Sequence, residues 1–404
     1  MKKIAIIHLG AREYYSIPRM LLESGHDVRV FTDIYRKGVG RFLAPISTQI
    51  ARRYHPDLPA CRVHHTPLLS WQYSYARKNA TSADEMEAVF HQYGKQFALL
   101  CLPELRRFAP DVIVSFSTTA AEIFQEFNGK AKLILNQIDG GIEEDRIVQR
   151  EREKYPDWEE PAAGVLEIGN GRHGVEQQLA DTIVVNSPFS KKCLTLSGVD
   201  QNKISIVPLA YDIKSDFRSN HNKRGDKVKL IFLGTVCLRK GIHYLDQALD
   251  SLSATGFDFD LTIAGPSNLK PSRLEELKRK YRYLGVISKD QIPGLLAGND
   301  ILVLPSIAEG FGMVQLEAIA AGCRVLTTTN AGEVVNDDVL GKICEPYSPE
   351  QIAALIRQIA QDMSVSNRED FAKAAALRLK DFSIQSVSAR WQEVVEKKVL
   401  SARN

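Results

Sequence analysis

"DILVLPSIAEGFGMVQLEAIAAGCRVLTTT", residues 300–329, fits a strand, a turn, a helix and a second strand into thirty positions. Its apolar runs "DILVLPS" (300–306) and "RVLTTT" (324–329) are nearly continuous rather than alternating. That is the mark of parallel strands covered on both faces. Between them lie Glu309, Gly310 and Gly312, then the helical run "MVQLEAIAA" with Glu317 inside it.

The same unit recurs along the chain. "KLIFLG" (229–234) and "FDLTIAG" (259–265) precede the quoted stretch. The first half repeats the pattern with "KIAIIHL" (3–9), "DVRVFTD" (27–33), "DVIVSFS" (111–117), "KLILNQI" (132–138) and "TIVVNS" (182–187). A helix is expected after the first strand, and a long one near 84–107. Strands alternating with helices predict an α/β protein with two doubly wound, Rossmann-like domains facing a cleft. The 404-residue length agrees, being too great for one core. A polar charged stretch after Pro208 separates the halves, giving domains at 1–208 and 209–384. The last segment, 385–404, reads as a helix with Val387, Trp391, Val394 and Val395 on one face, packing back toward the first domain.

Bulk composition narrows the function. A net charge of +3 is too small to argue for a nucleic-acid partner. No apolar run is long enough to span a bilayer. "MKKIAIIHLG" is too short, and too broken by His8 and Gly10, for a signal peptide, so it reads as a first strand. Cys61, Cys101, Cys193, Cys237, Cys323 and Cys344 form no C-x-x-C pair; buried free thiols in a reducing cytoplasm are the expectation.

In an open parallel sheet, ligands bind at the carboxyl ends of the strands. Glu309–Gly312 lies at such an end. Gly310 and Gly312 permit a sharp turn and close approach. The unpaired amides from Gly312 to Val314, with the helix dipole, suit a diphosphate. Glu309 suits sugar hydroxyls, and Glu317 suits a ribose diol. Spacing alone is equally consistent with Glu309 as a helix cap and Glu317 as a solvated helix residue. The turn "LGTVCLRKG" (233–241) adds Arg239 and Lys240, cations suited to phosphate oxygens.

"LGTVCLRKG" together with "EGFGMVQLEAIAAGCRVL" resembles the retaining nucleotide-sugar glycosyltransferases of the GT-B fold, glycosyltransferase family 4. The resemblance covers most of residues 176–345, including "DTIVVNSPFSKKCLTLSGVDQNKISIVPLAYD" (181–212), and is weak before that. It implies a hexosyltransferase using a nucleoside-diphosphate sugar with retention, donor in the second domain and acceptor in the first. It implies that Glu309 binds donor-sugar hydroxyls. Phe311, Gly312, Met313 and Val314 would offer backbone amides, Glu317 would hold the ribose, and Lys240 the diphosphate. Gly285 to Ile287, with Val286 at the centre, would line the base. The family's arginine after the strand-end glycine is replaced by Thr235, and Arg239 is the candidate to supply that charge. No cofactor beyond the substrate is expected.

No metal site is expected either. "DFD" (258–260) precedes its strand, the wrong end for a ligand, and reads as a solvated turn. A metal-independent mechanism follows, with cations and amides stabilising the leaving diphosphate.

The acceptor side is less explicit. Gly10 permits close approach of the donor phosphates, and Arg12 is a candidate to point into the cleft. After "LNQI", where relatives often carry a histidine–aspartate pair, this chain has no histidine. Asp139 is the candidate for contacting the reacting hydroxyl, with an Asx-turn as the competing reading. Arg172 and His173 in "GNGRHG" read as a glycine-rich loop that could reach the cleft. Residues 34–78 carry Arg36, Lys37, Arg41, Arg52, Arg53, Arg62, Arg77 and Lys78 against Asp57 alone, interleaved with Tyr54, Trp71, Tyr73 and Tyr75. Such a segment suits an anionic membrane or lipid-linked acceptor, or a solvated insertion. His64 and His65 receive no role. The alternatives to transfer are a GT-B nucleotide-sugar epimerase and a non-catalytic partner subunit. A dinucleotide oxidoreductase is disfavoured, since neither half opens with G-x-G-x-x-G.

Overall fold

A computed structural model describes residues 1–36, 53–80, 83–160, 165–212, 227–365 and 368–397. The first sheet holds β1 (Lys3–Ile7), β2 (Asp27–Thr32), β3 (Val63–His65), β4 (Val112–Phe116), β5 (Lys132–Asn136), β6 (Thr182–Val185) and β7 (Ile204–Ile206). Their order is β3-β2-β1-β4-β5-β6-β7. The second sheet holds β8 (Val228–Leu233), β9 (Phe259–Ala264), β10 (Arg282–Tyr283), β11 (Ile301–Leu304), β12 (Arg324–Thr328) and β13 (Gly341–Cys344), in the order β10-β9-β8-β11-β12-β13. Every pairing is parallel. Both sheets are doubly wound, with the strand order reversing beside β1 and β8, where ligands bind in such folds.

The helices of the first half are α1 (Ser16–Glu23), α2 (Pro67–Asn79), α3 (Ala83–Phe108), α4 (Ala121–Phe127), α5 (Ile142–Lys154), α6 (Val165–Leu179) and α7 (Pro188–Leu196). Those of the second half are α8 (Ile242–Ala254), α9 (Pro271–Lys280), α10 (Ile292–Ala297), α11 (Val314–Ala320), α12 (Pro349–Val365), α13 (Arg368–Lys380) and α14 (Ile384–Glu396). Local chemistry marks several starts. Ser187 and Ser383 accept the amides of Ser190 and Ser386 at the first turns of α7 and α14. Pro67 and Pro188 sit at the first positions of α2 and α7.

The strands are apolar because both faces are covered: every residue of β4, β6, β11 and β12 is buried. Two elements tie the halves together. Val148 and Trp158, in and after α5, join the core formed by β8, α8 and β11. There Glu159 pairs with Leu269, and Lys270 N donates to Trp158 O at 2.8 Å. Glu151 accepts from Tyr244 Oη at 2.6 Å and lies 2.9 Å from His243 Nε2. The second tie is α14. Val387, Trp391, Val394 and Val395 are buried with Ile4, Ile6, Ile17 and Met20, and Lys2 Nζ donates to Val395 O at 2.8 Å.

Three features depart from the sequence reading. "GNGRHG" belongs to helix α6 rather than to a loop, because its far end is anchored by Glu176 and Gln177, as described below. Cys61 is exposed, while the other five cysteines are buried free thiols. The short strands β3, β10 and β13 carry no apolar run long enough to signal them. Of the basic aromatic segment, Lys37, Arg41 and Arg52 lie outside the described residues, as does most of the polar stretch after Asp212.

Candidate functional site

The site is built from two turns at the carboxyl edge of the second sheet. After β8, a short 3-10 turn at Leu238–Lys240 ends on Gly241, whose φ is 72°. A Cβ on Gly241 would lie 1.9 Å from Pro305 O, so only glycine lets this turn press against the end of β11. The two turns are then stitched together. Ile307 N donates to Arg239 O at 3.0 Å, and Arg239 Nη1 donates to Ala308 O at 3.1 Å.

This stitching brings the charges into register. The Lys240 ammonium donates to the Glu309 carboxylate, with only about a tenth of either side chain exposed. Arg239 Nη1 lies 3.5 Å from Glu309 and 3.6 Å from Glu144. The carboxylates around Arg239 outweigh its burial and hold its pKa above the usual value.

Glu309 N donates to Asn330 O at 3.0 Å, fixing the start of the next turn. Gly312 has a φ of 77°. The buried Gln315 side chain donates to Phe311 O at 3.0 Å and Gly332 O at 3.2 Å. The Phe311 ring is buried against Phe382, so only its backbone can meet a ligand. Among the described residues, the amides of Phe311, Gly312, Met313 and Val314 donate to no backbone carbonyl. Glu317 stands in the first turn of α11. Burial raises its pKa, and Lys289 opposes the rise. Val286 is 76% exposed, next to Gly285 with a φ of 64°.

The first domain meets these turns directly. A Cβ on Gly310 would lie 2.4 Å from Ile138 O, after β5. Asp139 is exposed. Its Oδ1 accepts from Gly141 N at 3.1 Å and Gln137 Nε2 at 3.3 Å, the Asx-turn arrangement. Glu144 Oε2 accepts from Gly140 N at 2.7 Å. Burial first, then the Asp139 charge, pushes the Glu144 carboxyl up to about 7, against the pull of the Gly140 amide and Arg239. Gly10, with a φ of 89°, donates to Asp33 at 2.9 Å. Arg53 lies over it, 3.3 Å from Asp33. Arg12 is within electrostatic reach of His8 and Glu13.

Sequence reasoning missed several groups. Glu144 comes from another element, with no local motif to mark it, and Arg53, read in the sequence only as part of the basic aromatic segment, lies beside Gly10 and Asp33. Glu13, Tyr14 and Tyr15 form a left-handed run with φ of 49°, 51° and 60°. Glu13 there accepts from Ser16 Oγ at 3.1 Å and Asn136 Nδ2 at 3.4 Å. Tyr14 carries Lys289 on its ring face at 4.3 Å, joining the two domains at the Glu317 edge. "DFD" lies at the amino end of β9, with Asp258 and Asp260 exposed and 3.5 and 3.8 Å from Lys227. Among the described residues there is no cluster of three or more side chains able to hold a metal.

Residues 213–378 match the model of the family described as "Glycosyl transferases group 1". The second domain belongs to the group 1 glycosyl transferases. Both cations, both glutamates and the free amides lie within this glycosyl transferase region. Glycogen synthase from Mycobacterium tuberculosis is 30% identical over 234 residues, 55% of this chain and 56% of that protein. The chain spans about half the length of the curated relatives it matches. Sucrose-phosphate synthase from Thermosynechococcus elongatus superposes with a TM-score of 0.65 at 17% identity, covering 98% of each chain. The catalytic domain of starch synthase IV from Arabidopsis thaliana, bound to ADP and acarbose, gives 0.68 at 13% identity, again over 98% of each. At such identities the likeness is one of fold: two parallel-sheet domains in the GT-B arrangement.

Proposed function

We propose that this chain transfers a hexosyl unit from a nucleoside-diphosphate sugar to a hydroxyl acceptor, with retention at the anomeric carbon and without a metal. The observation that carries the reading is the Lys240–Glu309 pair, set beside Arg239 and the free amides of Phe311–Val314. Two cations and a row of amides match a diphosphate. When the diphosphate takes Lys240, the Glu309 carboxylate is released to accept sugar hydroxyls. Charge grows on the departing diphosphate in the transition state, so fixed cations and amides lower the barrier without a metal. Glu317, half-buried at the far end of the turn, would accept the ribose hydroxyls, and Val286 would lie along the base. Asp139 would contact the reacting hydroxyl across the cleft. ADP in the starch synthase neighbour supports a nucleotide ligand, and retention rests on the family resemblance.

A lipid-linked acceptor at a membrane surface is favoured by α2. Leu68, Trp71 and Tyr75 fall on one face of this helix, 69%, 68% and 65% exposed. Arg77 and Lys78 end it. An apolar face beside cations suits an anionic bilayer. Among the described residues no helix is long and apolar enough to cross a membrane, so this contact would be peripheral.

The reading is tested by a thermal-shift panel of nucleotide sugars, because a bound ligand raises stability by RT ln(1 + [L]/Kd). A donor that shifts melting, and whose sugar is then transferred or hydrolysed, supports it. No shift with any member contradicts it.

A further inference from the structure

No histidine follows β5, but His173 of α6 lies within electrostatic reach of Asp139 there. His173, Glu176 and Gln177 lie on one face of α6, spaced three and four residues apart. That face turns toward the carboxyl ends of β4 and β5. Glu176, fully buried, accepts the amides of Thr118 at 2.9 Å, Ala120 at 3.0 Å and Ala121 at 3.3 Å, all after β4. Thr118 is held in the left-handed region, with a φ of 76°. Gln177 donates to Gln137 Oε1 at 3.0 Å, and Gln137 donates to Asp139 Oδ1 at 3.3 Å. The face is therefore anchored on both strand ends.

His173 is held within this frame. Its Nδ1 faces Glu176 Oε2 at 3.6 Å, and 31% of its side chain is exposed. The His91 ring packs edge-on against it, with centroids 5.5 Å apart. At this distance the carboxylate acts on Nδ1 as a neighbouring charge and favours a proton on the ring. His173 is within electrostatic reach of Asp139 and Asp145. Asp139 in turn is within reach of Arg239 and Glu144 at the donor turns. Charged groups from Glu309 to Glu176 thus follow one another within electrostatic reach across the cleft.

We propose that His173, beside Glu176, is a substrate-contacting residue that acts with Asp139 to hold the attacking hydroxyl. This rests on the glycosyl-transfer reading above. In the step it serves, the hydroxyl oxygen bonds to the anomeric carbon and the bond from that carbon to the diphosphate oxygen breaks. The electron pair leaves with the diphosphate, and the hydroxyl proton passes to a departing phosphate oxygen. Before the step Asp139 accepts the hydroxyl hydrogen bond; as the bond to carbon forms, that proton moves to the departing phosphate oxygen, while His173 Nε2–H donates to the attacking oxygen, so neither residue changes its covalent state.

The groups facing His173 are Glu176, Asp139, Asp145, His91 and Arg172. Arg172 is engaged with Glu122. Burial works against a charge on the ring, and the three carboxylates outweigh it, so the ring titrates above the usual histidine value.

The test is proton NMR of the ring Hε1 signals of the full chain, which has nine histidines. The His173 signal is assigned by its loss in His173→Asn. It should titrate above 6.5. It should move when a binding nucleotide sugar is added and move much less with the matching nucleoside diphosphate, because only the sugar places the anomeric carbon beside it. In donor hydrolysis, where water is the attacking group, His173→Asn should lower kcat at least tenfold and leave nucleoside-diphosphate Kd within twofold. His173→Gln, whose amide reaches the Nε2 position, should retain more activity than His173→Asn, whose amide reaches Nδ1. A His173 signal indifferent to the sugar, or better activity in His173→Asn than in His173→Gln, would overturn the proposal in favour of a structural role toward Glu176. Failure of the unchanged protein to bind any nucleotide sugar would instead refute the transfer reading beneath it.

Discussion

Lys240 and Glu309 meet as an ion pair across two turns, with only about a tenth of either side chain open to solvent. They lie 69 residues apart in sequence. Removing Glu309 takes away the carboxylate that Lys240 pairs with, while removing Lys240 leaves Glu309 with Arg239 alone, 3.5 Å away. A polyanion arriving at this place can exchange one partner for another without stranding a charge.

Lys240→Ala should therefore weaken nucleoside-diphosphate binding. A charge-assisted hydrogen bond is worth roughly 1.5–3 kcal/mol, a loss of roughly tenfold to hundredfold. The donor KM should rise and kcat should fall, because leaving-group charge grows in the transition state. Steady-state kinetics and calorimetry check both. Wild-type constants in this variant would remove Lys240 from the site.

Gly310→Ala probes the contact between domains. The new Cβ would sit 2.4 Å from Ile138 O, so the domains must part slightly to admit it. Nucleoside-diphosphate affinity, which belongs to the second domain, should change little. Sugar transfer or hydrolysis should fall on the order of tenfold to hundredfold, as small misplacements at a reacting centre do. Equal activity in both proteins would show that this close approach is not used in turnover.

Glu144 makes stability depend on pH. Its carboxyl is pushed up to about 7 in the folded chain against an ordinary 4.5. Between those values the folded state holds a proton that the unfolded chain has released, so stability falls as pH rises, by at most about 1.4 kcal/mol per unit. Glu144→Gln keeps an acceptor for the Gly140 amide and removes the titration. Melting temperatures at pH 5 and pH 8 should differ less in Glu144→Gln than in the wild type. Parallel pH profiles would contradict the assignment.

The α2 face can be read by fluorescence. Trp158 and Trp391 are buried while Trp71 is 68% exposed, so a blue shift on adding vesicles reports Trp71 alone. Vesicles rich in anionic phospholipid should produce it at low salt, and neutral vesicles should not. Trp71→Ser together with Tyr75→Ser should abolish co-flotation. Equal binding by this double variant would shift the contact elsewhere.

The strands were largely legible in sequence because both faces of each sheet are covered, leaving runs such as "KIAII" and "VIVSF" almost wholly apolar. β10, with two residues, and β3, with three, are too short to form a run. Helix α6 was misread because glycine disfavours helix by about 1 kcal/mol each. Glu176, with its three backbone amides, and Gln177 hold it from the other side of the domain, and no local pattern records that. Within the site, Arg239, Lys240, Glu309 and Glu317 stood out because each belongs to one strand-end turn. Glu144 and the Gly310–Ile138 contact did not, since their place beside the donor turns exists only once the two sheets face each other; His173 was named as able to reach the cleft, but on a loop rather than on a helix. The Lys240–Glu309 pair lay between these cases: both residues were visible, but their pairing needed the Gly241–Pro305 approach.

The division of labour between the two glutamates is the centre of this account, and calorimetric titration of a nucleoside diphosphate into both variants tests it most directly. Glu317→Ala should bind it roughly tenfold to hundredfold more weakly, because the lost carboxylate held the ribose. Glu309→Ala should bind it as well as the wild type or more tightly, because Lys240 is freed from its ion pair and the ligand carries no sugar to miss Glu309. Equal weakening in both variants, or unchanged affinity in Glu317→Ala, would contradict the account.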